Sequence, residues 1–119
     1  MLNPPSSFRN VILPQSDIDA ICHFLQGAVY CWCKNRPDEW FSMRDLMGGE
    51  NYFWQGTPLI ALYNKQLSLG SADPVKEAGK ESGWLLKKVV SDDGRTFEHK
   101  KEELIRKYGW TPLPTDPRE

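Results

Sequence analysis

The sequence predicts a single, mainly helical domain with a small β-hairpin. Three observations indicate this fold class: apolar residues recur at helical spacing, helix-start residues precede them, and a late Asp- and Gly-rich turn leads into alternating residues. The chain has 119 residues, 39% hydrophobic and 26% charged, which is enough for one core without disulfides or a metal. We expect the domain to span residues 16–110, between flexible tails at 1–15 and 111–119.

The first predicted helix begins at Ser16, a good N-cap residue, and is stopped by Pro37. Cys31 and Cys33 are two positions apart and would point to different sides of this helix, so they do not predict a zinc site. We expect free thiols and no bound metal. Seven residues share its apolar face and should meet the core: Ile18, Ile21, Cys22, Leu25, Val29, Trp32 and Cys33.

A short second helix is predicted after Ser42. Ser42 is its cap, Asp45 completes a capping-box pair, and Gly48 ends the turn. The two aromatic residues just before it, Trp40 and Phe41, suit a brief edge strand.

A third helix should start at Thr57 and Pro58, which have the chemistry of a cap and a first-turn proline, and end near Gly70. At the other end of the domain, we expect residues 102–108 to form a closing helical turn. Apolar residues in and just after this turn would pack back on the core: Leu104, Ile105, Tyr108 and Trp110.

The fourth predicted helix is the most informative segment. It starts at Asp73 and Pro74, and it precedes a turn at residues 91–94 and a strand at 95–99 in which Phe97 points inward. Advancing about 100° per residue gathers one apolar stripe: Val75, Ala78, Ser82, Leu85, Leu86, Val89 and Val90. We expect this stripe to face the core.

The opposite side of the fourth helix is cationic. Lys76, Lys80, Trp84 and Lys87 fall together there, with Lys88 beside them. Two acidic residues, Glu77 and Glu81, are expected on its flank. Such a face has two interpretations: a solvated helix surface, since alternating Lys and Glu keep helices soluble, or a binding surface that includes one exposed aromatic ring.

The segments SMRDLMG, GWLLKK and DDGR, with an aromatic residue two positions after the last, resemble a winged-helix domain. The resemblance implies that the helix before the wing enters the DNA major groove and that basic wing residues reach phosphates or the minor groove. Residue by residue, it implies a DNA-binding set on that helix and at the wing: Lys76, Lys80, Trp84, Lys87, Lys88 and Arg95.

This chain departs from the winged-helix pattern in two respects. An extra helix is inserted between Gly48 and Gly70, and the supposed recognition helix contains no Asn, Gln or Arg to read base edges. The resemblance therefore implies contact mainly with phosphates of double-stranded DNA.

Charge and composition limit the other functions. The net charge of −1 gives no whole-molecule attraction to nucleic acid, so a local patch must supply it. Neither a signal-peptide-like apolar run nor a membrane-length apolar segment occurs, and we expect a cytoplasmic location with no membrane partner.

No nucleophile with a nearby base and no phosphate-cradling glycine loop is evident, and we expect neither catalysis nor a cofactor. An alternative hypothesis is a protein-interaction module that uses an aromatic surface around Tyr52–Trp54 and does not bind nucleic acid.

Overall fold

The computed structural model describes residues 10–48, 54–102 and 105–111. Within these ranges four helices are followed by one antiparallel hairpin, which confirms the predicted fold class at the level of a mainly helical domain. The elements are α1 Gln15–Asn35, α2 Met43–Leu46, α3 Ile60–Ser68, α4 Pro74–Asp92, β1 Glu98–Glu102 and β2 Ile105–Gly109. None of these helices combines the length and apolar content that crossing a membrane requires.

Helix α1 carries the predicted apolar face but not the predicted cap. Pro14, with an extended backbone, occupies the N-cap position, so Ser16 lies inside the first turn instead of capping it. Val11 and Leu13 pack against the core, so packing begins within the segment expected to be a flexible tail. The residues of α1 that are buried in the core are Ile21, Leu25, Val29 and Cys33.

Helix α2 has the predicted capping box. The Asp45 amide donates to Ser42 Oγ at 3.3 Å, and the Ser42 amide donates to Asp45 Oδ2 at 2.9 Å. These two bonds satisfy amides that would otherwise be unpaired at the helix start. The chain leaves α2 through Gly48, whose φ of 85° lies in the left-handed region that favours glycine.

Helix α3 starts later than predicted. Thr57 Oγ1 accepts a hydrogen bond from the Leu59 amide at 3.2 Å, which organises a turn that precedes the helix. The helix ends before Gly70, which again has a positive φ, of 70°. Leu59 and Leu62 are fully buried, so this extra helix belongs to the core.

Helix α4 starts as predicted, because Asp73 Oδ1 accepts from the Lys76 amide at 3.2 Å and Pro74 is the first helical residue. Two of its side chains differ from the prediction. Val75, expected in the core, is 42% exposed, because it lies at the end of the helix beyond the packed region. Glu81, expected on the solvated flank, is buried; Gln66 Nε2 donates to its carboxylate at 2.7 Å.

The last element corrects the expectation of a closing helical turn at residues 102–108. Ile105–Gly109 is a strand, β2, that pairs with β1 on one side. On its other side Phe41 and Tyr108 exchange two backbone hydrogen bonds of 2.8 Å. This segment forms a strand despite its helical spacing of apolar residues, because it pairs with β1 on one side and with Phe41 on the other. Leu104 lies outside the described residues.

The Phe41 ring lies at the centre of the contact between the helices and the hairpin. Its centroid is 6.0 Å from the Phe97 ring centroid, in an edge-on arrangement, and 5.8 Å from the Tyr108 ring centroid. Phe97 thus points inward as predicted, although β1 begins one residue after it. Trp32 of α1 completes this aromatic cluster at 5.9 Å.

Candidate nucleic-acid interface

A groove of about 960 Å³ lies between helix α4, the start of α2 and the β-hairpin. Helix α4 forms one wall and the hairpin forms the other, while Tyr108 and Leu86 contribute to the lining between them. Among the described lining residues Asp73 is the single acid. The cations that line the groove are Arg44, Lys76, Lys80, Lys87, Lys101 and Arg106. The groove is therefore a local positive patch on a chain whose net charge is −1.

Four of the six residues predicted for DNA binding line this groove. Lys76, Lys80, Trp84 and Lys87 do so together, because residues three and four positions apart lie on the same side of a helix. Lys88 is exposed but does not line the groove. Burial raises the pKa of the Cys22 thiol of α1 and the Lys88 charge opposes this rise, which indicates that Lys88 lies towards α1.

Arg95 does not lie on the surface as the winged-helix resemblance implied. Its side chain is 1% exposed and binds Asp93, with Nη1 2.9 Å from Oδ2. The guanidinium lies over the rings of Tyr30 and Trp110, at 5.3 and 5.0 Å. Arg95 is therefore part of the interior and cannot reach a phosphate outside.

Asp93 is held by more than its arginine partner. Gln26 Nε2 of α1 donates to Asp93 Oδ2 at 2.6 Å, and the Arg95 amide donates to Oδ1 at 2.8 Å. Burial by itself raises the pKa of Asp93, but these hydrogen bonds and the Arg95 charge outweigh it and lower the pKa below its ordinary value. This buried cluster fixes the end of α4 against α1.

Three groove cations, Arg44, Lys101 and Arg106, were not predicted from the sequence. Lys101 and Arg106 stand directly opposite each other in the hairpin. β1 has the sequence EHKKE and is exposed throughout, so no alternation of polar and apolar residues indicates the hairpin from the sequence. Arg44 follows the α2 cap and enters the groove because that cap faces α4.

The two faces of the hairpin differ in whether a carboxylate pairs with their opposed cations. On the outer face Lys100 and Lys107 are opposite each other, and Glu102 binds both, at 3.3 and 3.0 Å. The hydrogen bonds from Lys107 and then Lys100 lower the pKa of Glu102.

On the groove face, no carboxylate of the described residues pairs with Lys101 or Arg106, although Arg106 Nη1 is 3.2 Å from His99 Nδ1. Like charges directly opposite each other in a sheet are destabilising, and an anion in the groove would relieve this repulsion.

Aromatic rings share the groove with these cations. Trp84 is half-buried on the helix wall, and Tyr108 lies at the base of the hairpin wall. The Tyr108 hydroxyl is buried without a hydrogen-bond partner among the described residues, and burial raises the pKa of Tyr108 to about 12. The phenol is thus neutral at physiological pH.

The neutralisation of Lys80 within the protein is weak. Lys80 Nζ is 3.4 Å from Glu77 Oε2, and both side chains are about half exposed. Exposed pairs of this kind contribute little, about 0.2–1 kcal/mol, because water screens them. Lys80 can therefore exchange Glu77 for an external anion.

Trp54, one of the three residues of the alternative aromatic surface at Tyr52–Trp54, is not exposed. Trp54 is 2% exposed and belongs to the core, whereas Tyr52 and Phe53 lie outside the described residues. The three cysteines are free thiols. Within the described ranges, no three His, Cys, Asp or Glu side chains come together in a metal-binding arrangement.

Comparison of the chain with known protein families, with curated proteins and with solved structures finds no significant match. The groove's own geometry and charge are therefore the basis for inferring its ligand.

Proposed function

We propose that this protein is a non-enzymatic, winged-helix-like module that binds double-stranded DNA mainly through its phosphates. The observation that carries the proposal is the convergence of six cations from α2, α4 and the hairpin on one groove whose described lining holds a single carboxylate. Phosphates are the natural partners of such a surface, since each Lys or Arg contact also releases counterions from the nucleic acid.

The order of elements supports the winged-helix part of the proposal. A first helix, one strand-like residue at Phe41, a short helix, a long helix and a hairpin follow each other along the chain. Phe41 pairs with the second strand of the hairpin, so a three-stranded arrangement lies beside the long helix. The helix α3 is the insertion, and it packs against α4. Under this proposal α4 corresponds to the recognition helix and the hairpin corresponds to the wing.

The residue types favour contact with phosphates over base reading. Lys76, Lys80 and Lys87 are flexible point charges that suit phosphate oxygens and carry little sequence information. We therefore expect affinity to depend strongly on salt and weakly on base sequence.

The test is binding to a random-sequence duplex across a salt series, comparing the wild-type protein with a Lys80→Glu, Lys87→Glu variant. The matched control is Lys34→Glu, Lys88→Glu, which changes the net charge equally at exposed helical lysines that do not line the groove. Far-UV circular dichroism and thermal melts would establish that both variants are folded.

We expect the groove variant to lose roughly tenfold or more in affinity and to show a shallower salt dependence, because about two phosphate contacts are removed. The control should bind within about threefold of wild type. Failure of the wild-type protein to bind at low salt, or equal losses in the two variants, would overturn the proposal.

A further inference from the structure

We infer that the groove between α4 and the hairpin accepts a single nucleic-acid strand and stacks one of its bases on Trp84. This inference rests on the proposed function, because it takes phosphate binding in the groove as given. It goes further by naming the form of nucleic acid that fits between the two walls.

The cations face each other across a concave space. Lys76 and Lys80 line the helix wall, and Lys101 and Arg106 line the hairpin wall. A duplex is read by a convex helix that enters its major groove, which is about 12 Å wide. A duplex can contact the rim of a concave groove through its phosphates, but only a ligand thin enough to enter the groove can contact both walls.

The size of the groove also suits a short single strand. Its volume of about 960 Å³ lies near the top of the range of small-ligand sites, about 300–1,000 Å³. A space of this size accommodates a few linked nucleotides, whereas a double helix can contact only the cations at its rim. The strand's phosphates would lie between the two rows of cations, where they would also neutralise the Lys101–Arg106 repulsion.

The aromatic lining supplies what a single strand needs beyond charge. Proteins that hold single strands combine a positive groove along the backbone with aromatic side chains on which bases stack. Trp84 lies on the helix wall one turn from Lys80 and Lys87, and it lines the same groove as they do. Bases are exposed in a single strand but stacked within a duplex, so Trp84 contributes to the binding of the single strand alone.

The experiment measures the fluorescence anisotropy of three labelled ligands at one low salt concentration: a ten-nucleotide oligo(dT), the matching oligo(rU), and a random-sequence duplex. Oligo(dT) and oligo(rU) cannot pair with themselves, so their binding reports on unpaired strands. The protein variants are Trp84→Ala, Trp84→Phe and, as an aromatic control outside the groove, Trp40→Phe.

We expect at least one of the two single strands to bind as tightly as the duplex or more tightly, and the ratio of the two identifies DNA or RNA as the better ligand. Trp84→Ala should weaken single-strand binding about tenfold and duplex binding less than threefold. Trp84→Phe should retain most of the affinity because it keeps a ring for stacking, and Trp40→Phe should leave both affinities unchanged.

A second variant, Lys101→Gln with Arg106→Gln, tests the hairpin wall independently of Trp84. It removes a like-charged pair and should fold at least as well as the wild-type protein. We expect it to weaken oligo(dT) binding about tenfold.

Tight duplex binding together with tenfold weaker binding of both single strands would overturn this inference and leave the proposed function standing. Single-strand binding that is insensitive to both the Trp84→Ala and the hairpin-wall variant would also overturn it. If neither the duplex nor either single strand binds at low salt, both the inference and the proposed function fail.

Discussion

The indole of Trp40 occupies the space beside Gly109. A Cβ atom added at Gly109 would lie 2.9 Å from two carbons of that ring, closer than real Cβ contacts allow. The ammonium group of Lys100 lies 4.5 Å from the same ring's centre. Trp40 is therefore held against the outer face of the hairpin, and this contact joins the loop after α1 to β2.

Replacing Gly109 with Ala should destabilise the fold, because the indole must move to admit the new methyl group. We expect a loss of about 1–3 kcal/mol in the free energy of unfolding, measured by urea denaturation. Gly27→Ala in α1 is the matched control: nothing lies within 4 Å of its added Cβ, and removing a helical glycine should stabilise by about 1 kcal/mol. Equal effects of the two substitutions would contradict this account of Gly109.

Replacing Arg95 with Met should be strongly destabilising. It leaves the Asp93 carboxylate buried without its cation, and breaking a buried ion pair in this way costs about 3–5 kcal/mol. The comparison is Arg36→Met, because Arg36 also lies over an indole, that of Trp32 at 4.9 Å, but is exposed. We expect Arg36→Met to change the free energy of unfolding by about 1 kcal/mol or less. A small effect at Arg95 would mean that the pair is solvated.

The lowered pKa of Asp93 predicts a loss of stability in acid. The carboxylate has its ordinary pKa of 3.8 in the unfolded chain and a lower one in the fold, so it stabilises the protein fully above about pH 4. That contribution disappears as the pH falls from about 4 through the lowered pKa. Urea denaturation at a series of pH values from about 2.5 to about 7 should show the free energy of unfolding decreasing as the pH falls below about 4.

Asp93→Asn should flatten the acid limb of this stability profile while lowering stability at neutral pH. The neighbouring exposed residue supplies the control, since Asp92→Asn removes one carboxylate without touching the buried cluster. An acid limb that keeps its slope in Asp93→Asn would assign the acid sensitivity to other carboxylates.

Glu81 should matter far more than Glu77, although both were expected on the same solvated flank. Glu81 binds Lys65 and Gln66 of α3 in the interior, so Glu81→Ala should cost about 3 kcal/mol by leaving Lys65 without its partner. Glu77→Ala removes only a half-exposed pair with Lys80 and should cost less than about 1 kcal/mol. Comparable unfolding free energies for the two variants would show that α3 is held by its apolar contacts alone.

Local chemistry explains which parts of this fold could be predicted from the sequence. The capping box at Ser42 and the Asp73–Pro74 helix start depend on residues only a few positions apart, and both occur as predicted. The lysine row of α4 was also predictable, since the helical repeat determines which side chains share a face.

The predictions that were wrong concern residues whose positions depend on partners distant in the chain. The winged-helix resemblance implies an exposed Arg95 at the wing, whereas Gln26, Tyr30 and Trp110 enclose its cluster in the structure. The β2 strand likewise depends on Phe41, which its own residues do not reveal. The contribution of Lys101 and Arg106 to the groove therefore could not be predicted without the register of the two strands.

The pairing of Phe41 with Tyr108 has a consequence for the order of folding. It joins positions separated by more than half of the chain, and contacts of such long range are slow to form because a large loop must close first. The helices need only neighbouring residues to begin. We expect α4 to display its lysines early, while a nascent or partly refolded chain still lacks the opposite wall. Ligand binding should consequently appear as one of the last events in refolding.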